Sequence, residues 1–466
     1  MLPTFQNRRI SGALLLLVLA SLTGGCTHSA IAPETIDPTI PSEWQRGGTA
    51  GEAELNWLAS FDHPQVTSLV AEAIANNYSL HQERARLYQA EQSVVITRAN
   101  RFPGLDVSLN SSRRGLEGND GGRITTESAS ASVDARWEVD LWGRLSKKQQ
   151  AAQLAYSAQQ AQLESAERNL AAATAGAFFQ VLEAKQLLGV ASRRLDNTII
   201  SHDIVASGYR QGLNDALDLY LAKNQVERQE ANYAQQAQAL TETISDLQLS
   251  LARYPDGRME VAQELPLIAD PIPAGLPSEL LMRRSDVQEA WLRLLAADAD
   301  LAAAHKARFP SLSLVGSAGA TSVAFSDLLE GDASVWSIAG GLTQPLFNAG
   351  RLRAVEEQAF ALVQQAEQQY LDLVFRAFAS VENTISRSAS LLSRYESFLA
   401  AEKNSSAALN LALEQYQRGL ITYTTVLESQ RQAFDAESTV VQLKNQLLQN
   451  RIDLYQALGG EFSTTY

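Results

Sequence analysis

Few side chains in this 466-residue chain are of the type and spacing that perform covalent or acid–base chemistry, and the first to examine is a thiol. Cys26 is the only cysteine, so no intrachain disulfide can form. It follows Leu22-Thr23-Gly24-Gly25 at the end of a short apolar run. That is the arrangement of a lipobox, in which the cysteine becomes a lipid-bearing first residue. The alternative is a plain secretory signal with an incidental cysteine. The histidines His28, His63, His81 and His305 have no ligand spacing, and His202 sits in a helical row, so no metal site is expected. The pair Glu356-Glu357 reads as a solvated helix face. There is no phosphate-cradling glycine loop with a lysine, no Gly-x-Ser-x-Gly elbow and no His-Glu-x-x-His. The chain is therefore expected not to be an enzyme and to carry no cofactor beyond the lipid on Cys26.

The elements around that thiol come first. Arg8 and Arg9 precede the apolar run Gly12 to Leu22, which makes residues 1–25 a signal peptide, too short in its apolar part to span a membrane. Residues 26–61, rich in Pro, Thr and Gly, read as a lipidated tether. A formal charge of −14 argues against nucleic acid as a partner. Apolar content of 45% with only 7% aromatics suits close-packed helices better than a thick globular core.

Beyond the tether the chain is written twice. Arg101-Phe102-Pro103 reappears as Arg308-Phe309-Pro310, Gly143-Arg144-Leu145 as Gly350-Arg351-Leu352, and Tyr209/Gly212 as Tyr416/Gly419, every pair 207 residues apart. This is a duplication of two long units and not a short-period solenoid. The boundaries predicted are repeat 1 over 62–254, a Pro-rich connector over 255–285, repeat 2 over 286–461 and a tail over 462–466. Each unit reads helix, β-hairpin (about 104–142 and about 311–347), long helix, tip, helix. The run from Arg144 lacks proline for about seventy residues, and at ~1.5 Å per residue such a helix is on the order of 100 Å long.

In the first hairpin the apolar period changes from 3.6 to 2. Leu105, Val107 and Leu109 alternate with polar residues, and Ala129, Ala131, Val133, Ala135, Trp137, Val139 and Leu141 alternate with Ser128 through Asp140. Arg113 to Thr126 reads as a polar, Gly-rich loop. The alternation fits either a soluble sandwich or a membrane barrel with a lipid-facing and a wet face. Two strands per unit give four per chain. Open edges are not viable in lipid, so a barrel reading requires oligomerisation, and three chains give twelve strands. Phe102, Trp137, Trp142, Phe309, Trp336 and Phe347 gather at the strand–helix junctions, either as packing under a sheet or as an interfacial girdle. In the long helix Val181, Leu188, Leu195, His202 and Tyr209 fall at sevens, with Ala184, Ala191, Thr198 and Val205 three residues on, the spacing of a coiled coil.

Taken together the chain resembles the TolC-like outer-membrane efflux factor family, in its NodT-type lipoprotein branch. The motifs that carry the resemblance are Trp137-Glu138-Val139-Asp140-Leu141-Trp142-Gly143-Arg144, the connector from Ile272 to Arg284, both Arg-Phe-Pro doublets and both Tyr-x-x-Gly tips. Ser285 stands where the family has proline, and Ala290-Trp291 replaces Ala-Glu. The fold this implies is mixed α and β, mainly α: a trimeric 12-stranded outer-membrane β-barrel with four strands per chain, continued by a long periplasmic α-helical coiled-coil barrel. An equatorial belt would use the N-terminal segment, residues 254–285 and the C-terminal end. The implied function is the outer-membrane channel of a tripartite efflux system, lipid-anchored and spanning, extending into the periplasm. The implied partners are two further copies of the chain, outer-membrane lipid, a periplasmic adaptor and an inner-membrane pump of the RND type. By the same resemblance Gly212, Leu213, Gly419 and Leu420 form adaptor-docking tips. Asp218, Tyr416, Thr424 and Glu428 form the periplasmic aperture, with three copies of Glu428 as an acidic ring. A family arginine is Ile421 here, and Thr424 replaces a leucine of some relatives. Two other classes stay open on the residues alone: a periplasm-spanning structural or adaptor lipoprotein without a pore, and a type I protein secretion duct. A secreted enzyme lacks any site constellation.

Overall fold

A computed structural model describes residues 41–47, 57–117, 123–261, 264–268, 272–275, 277–323, 325–329 and 334–462. Cys26 and the signal peptide lie outside the described residues. The chain divides into two compact units, one built on Arg98–Ala151 and Leu295–Val363, the other on Pro38–Thr97, Ala152–Leu294 and Gln364–Tyr466.

Three helix pairs keep the 207-residue offset to the residue, while the first helix and the strands of repeat 2 are shorter than their counterparts. Repeat 1 supplies α1 (Pro64–Asn76), α2 (Tyr78–Ala99), β1 (Gly104–Glu117), β2 (Arg123–Val139), α3 (Arg144–Arg210) and α4 (Ala216–Ser250). Then come α5 (Pro277–Arg283), α6 (Ser285–Lys306), β3 (Ser311–Ser322), β4 (Ser334–Thr343), α7 (Arg351–Gln417) and α8 (Tyr423–Ala457). Helices α3 and α7 each have 67 residues, and α4 and α8 each have 35. Among the described residues no helix is long and apolar enough to cross a membrane.

The first unit carries one antiparallel sheet in the order β1-β2-β3-β4. Its register puts Val107 opposite Val133, Val133 opposite Ala318, and Ala318 opposite Trp336, so one face is apolar across all four strands. The other face holds Asp106, Ser108, Ser132, Asp134 and Ser317. There Ser108 Oγ and Ser132 Oγ each donate to Asp134 Oδ2 at 3.0 Å, and Arg136 reaches Asp106 at 3.1 Å. Strands β1 and β4 end the sheet, each with an unpaired edge. The expected loop from Arg113 to Thr126 is largely strand: pairing runs on through Gly115↔Thr125 to Glu117↔Arg123. The β-branched Ile124, Thr125 and Thr126 favour extended backbone, and Arg113 pairs with Glu127 across the strands at 2.9 Å.

Below the sheet the same lock recurs in both repeats. Arg101 Nη1 donates to Gln149 Oε1, and its counterpart Arg308 to Glu356 Oε2, both at 2.7 Å. Trp137 Nε1 donates to the Arg101 carbonyl, and Gln344, 207 residues on, donates to the Arg308 carbonyl. Glu356 is thus no solvated face residue: it also meets His305 Nδ1 at 2.7 Å, and the hydrogen bonds from His305 and Arg308 outweigh desolvation and hold its carboxyl below the usual range. Asp140 caps the start of α3 through the amides of Leu145 and Ser146. The junction aromatics divide. Trp142 packs 5.5 Å from Phe309 and donates to the Pro310 carbonyl, whereas Phe102, Trp336 and Phe347 are exposed.

The second unit is helical. Its main core gathers Trp57, Phe61, Val66, Val70, Phe178, Phe179, Leu182, Leu247 and Tyr455. In α3 the small row of the coiled-coil pattern is buried throughout, at Ala184, Ala191, Thr198 and Val205, whereas the large row goes from buried Val181 through half-buried Leu188, Leu195 and His202 to exposed Tyr209. Trp44 packs edge-on against Phe378, and the backbone amides of Gln45 and Arg46 donate to the two carboxylate oxygens of Glu382 at 2.7 and 2.9 Å. Helix α4 ends on Ala252 at φ 56°, and α8 ends on Gly459 at φ 70° in the equivalent place.

Candidate functional site

The two helical tips of the second unit hold the residues singled out above. Both use the same stop. Leu213 N donates to Gly208 O and Leu420 N to Gln415 O, while Gly212 and Gly419 take φ of 75° and 70°. This is the Schellman arrangement, which satisfies the last carbonyls and needs a left-handed residue. Open space surrounds both glycines, so the dihedral alone calls for glycine there. Leu213 and Leu420, just past the turns, are 76% and 67% exposed.

After each turn a polar residue opens the return helix. Asp215 caps α4 by accepting from the Asp218 amide at 2.9 Å. Its counterpart Thr422 makes no such cap, and its hydroxyl instead meets those of Thr424 (2.7 Å) and Thr425 (3.3 Å). Asn214 reaches back to the Val205 carbonyl at 3.1 Å. Its counterpart is Ile421, which packs into an apolar cluster of Val205, Ala222, Ala412, Tyr423 and Val426. The tips therefore differ in chemistry on the same backbone, and the missing arginine at Ile421 is replaced by packing.

Asp218 and Tyr416 come together. Tyr416 lies on the cluster's edge, with its ring 5.4 Å from that of Tyr423. Desolvation, then the charges of Asp218 and Asp215, push the Tyr416 hydroxyl up to about 12. Desolvation, then Tyr416 and Asp218, take Tyr423 to about 12 as well. Burial and the like charge of Asp215 raise the Asp218 carboxyl, with Tyr416 opposing. Yet, among the described residues, both tyrosine hydroxyls are buried with no partner of good hydrogen-bonding geometry. Two desolvated donors beside a carboxylate form a contact poised to tighten. Tyr423 is a residue the sequence reading missed, although its spacing of seven from Tyr416 across the turn was visible.

Thr424 and Glu428 share an exposed stripe of α8. Glu428 is not a free carboxylate: Arg431 Nη2 and Nε meet its two oxygens at 2.6 and 3.1 Å, and Gln432 adds a third bond at 2.9 Å. These bonds, Arg431 first, hold the carboxyl down at about 2. The lone acid expected from the sequence is thus, within the chain, an ion-paired one. Arg431 too was readable, since a spacing of three on a helix is the spacing of a surface pair.

Known proteins share this arrangement from end to end. The cation efflux system protein CusC of Escherichia coli O6:H1 is 29% identical, over 96% of this chain and 98% of the relative. The pyoverdine export outer membrane protein OpmQ of Pseudomonas aeruginosa is 31% identical, over 96% of each. The solved outer-membrane channel OprN superposes with a TM-score of 0.84 at 25% identity, over 91% of this chain and 97% of that one. The fold is that of the trimeric TolC-like channels, in which each chain gives four strands to the barrel. The family described as outer membrane efflux protein matches twice, over residues 69–253 and 276–460, the same 207-residue displacement as the structural repeat. On these grounds the chain belongs to the outer membrane efflux protein family.

Proposed function

We propose that this chain, an outer-membrane channel component of a tripartite efflux system, assembles as a homotrimer whose exit duct closes at the Gly212 and Gly419 tips through Asp218, Tyr416, Thr424 and Glu428. The observation that carries the reading is the four-stranded sheet with one apolar face and two unpaired edges. Such a sheet is stable in lipid only when its edges are closed, and three copies supply the closure. Lipidation of Cys26 anchors the same assembly. The exposed Leu213 and Leu420 are the surface for a periplasmic adaptor, which links the duct to an inner-membrane pump of the RND type. The duct is passive and performs no catalysis.

Relatives named for a cation and for pyoverdine align over the same 96% of the chain, which supports a duct that leaves the choice of cargo to its pump. We assign it small-molecule cargo. At the tip, Asp218 and Tyr416 form the link that holds the resting state. Single-channel recording of the purified trimer, with its mass measured alongside, tests both levels. Asp218→Ala should raise conductance. A non-conducting monomer refutes the duct, and unchanged conductance in both Asp218→Ala and Tyr416→Phe refutes the gate.

A further inference from the structure

The aperture residues sit in a longer chain of charges. From Glu428 the ion pairs run to Arg431 at 2.6 Å, from Arg431 Nη1 to Asp435 Oδ2 at 3.5 Å, and from Asp435 Oδ1 to Arg194 of α3 at 3.2 Å. The signs alternate. Glu428, Arg431 and Asp435 stand at i, i+3 and i+7 on the exposed stripe of α8 that begins at Thr424. Arg194 is mostly covered and lies 4.7 Å over the Phe434 ring, which fixes the inner end of the chain. In the other repeat the equivalents of Glu428, Arg431 and Asp435 are Leu221, Asn224 and Arg228, so the alternation belongs to one hairpin alone.

We propose that Arg431 is the residue that tunes ion selectivity at the narrow end: it cancels Glu428 and leaves the ion-pair chain from Glu428 to Arg194 without net charge, so that this part of the wall favours neither cations nor anions. The inference rests on the reading that Glu428 lines the aperture. Its physical basis is the sum of charges along the ion-pair chain, three members on α8 and Arg194 on α3. Two acids and two arginines per chain add to zero, and three copies also add to zero. A ring of uncompensated carboxylates selects cations, whereas a ring of closely paired opposite charges has a field that falls off within a few ångströms of the wall. A neutral wall suits a duct that must pass cargoes of either sign.

The test is the potassium-to-chloride permeability ratio from reversal potentials across a KCl gradient at low ionic strength, where screening is weakest. The probes are the intact trimer and five variants: Arg431→Gln, Arg431→Lys, Glu428→Gln, the double Glu428→Gln/Arg431→Gln, and Asp435→Asn as a check on the inner pair. Wild type should lie near unity. Arg431→Gln uncovers Glu428 and should raise the ratio about threefold or more, the Boltzmann factor of one unit charge ~7 Å from the ion in water. Glu428→Gln and Asp435→Asn each leave a net positive stripe and should lower it by a similar factor. Arg431→Lys and the double variant should both stay near wild type, which separates charge from damage to the fold. A shift in Glu428→Gln without one in Arg431→Gln overturns the proposal while leaving Glu428 at the aperture. Conducting channels in which no variant shifts the ratio place the stripe away from the aperture and overturn both readings.

Discussion

The ends of α4 and α8 provide a paired experiment, because the duplication placed different residues in the same left-handed position. At the end of α4 Ala252 holds φ 56°, with its amide bonded to Leu249 O and that of Arg253 to Gln248 O. A left-handed alanine costs about 1–2 kcal/mol. Replacing it with glycine removes that strain and returns about 0.4–1 kcal/mol to the unfolded chain. Ala252→Gly should therefore stabilise the turn by about 0.5–1 kcal/mol. Gly459→Ala has the opposite sign and a larger size. It adds the strain, and its new Cβ would stand 2.9 Å from the Arg283 carbonyl carbon and 3.0 Å from the Arg283 oxygen. Backbone has to move, which adds about 1–3 kcal/mol of overpacking; with about 0.4–1 kcal/mol gained from the stiffer unfolded chain set against it, the total is about 2–4 kcal/mol. The local readout is amide exchange on the trimer. In Ala252→Gly the Arg253 amide should exchange about threefold more slowly, as ~0.7 kcal/mol of extra protection implies, while in Gly459→Ala the Gly460 amide should exchange at least tenfold faster. Arg253 also grips Glu72 of α1 with two bonds of 2.5 Å, so a firmer turn should slow exchange in α1 as well. Faster exchange at Arg253 in Ala252→Gly would refute the strain argument, since nothing else distinguishes the two sites in sign.

Two further outcomes follow from the tip and the N-terminal segment. The Asp218 carboxyl is raised by burial and by Asp215, so its contribution to tip packing is fully present below the ordinary carboxylate pKa and is lost as pH rises through the elevated value. Channel conductance should accordingly fall on acidification in wild type, and Asp218→Asn should be insensitive over that range; an unchanged pH response in the variant removes Asp218 as its source. At the other site, Glu382→Gln weakens the two charge-assisted bonds from the amides of Gln45 and Arg46, worth about 1 kcal/mol at this solvent-facing position. Exchange at residues 45 and 46 should rise about fivefold, and no change there means that Trp44 and the Arg46–Asn383 bond seat the segment without Glu382.

Architecture was legible in this chain because duplication printed its punctuation twice. Glycines after Tyr209 and Tyr416, and Arg-Phe-Pro before each hairpin, are local signals whose physics acts within a few residues. Three of the four helix pairs accordingly begin and end at equivalent places in both repeats. What stayed hidden was contact between segments far apart in sequence. Glu356 looked solvent-facing beside Glu357, but the residues that claim it, His305 and Arg308, lie about fifty positions away. Strand continued past Arg113 because a paired neighbour can carry polar residues that look like loop when taken singly. At the aperture a resemblance supplied Glu428 as a lone acid, since a position transferred by itself arrives without its neighbours. The structure returns Arg431, Asp435 and Arg194 to it as a chain of ion pairs, which is the basis of the selectivity proposal. Selectivity at a pore belongs to the sum of nearby charges and not to one residue type. Duplicated hairpins can therefore keep one backbone while only one of them carries the ion chain, with Glu428 opposite Leu221 and Arg431 opposite Asn224.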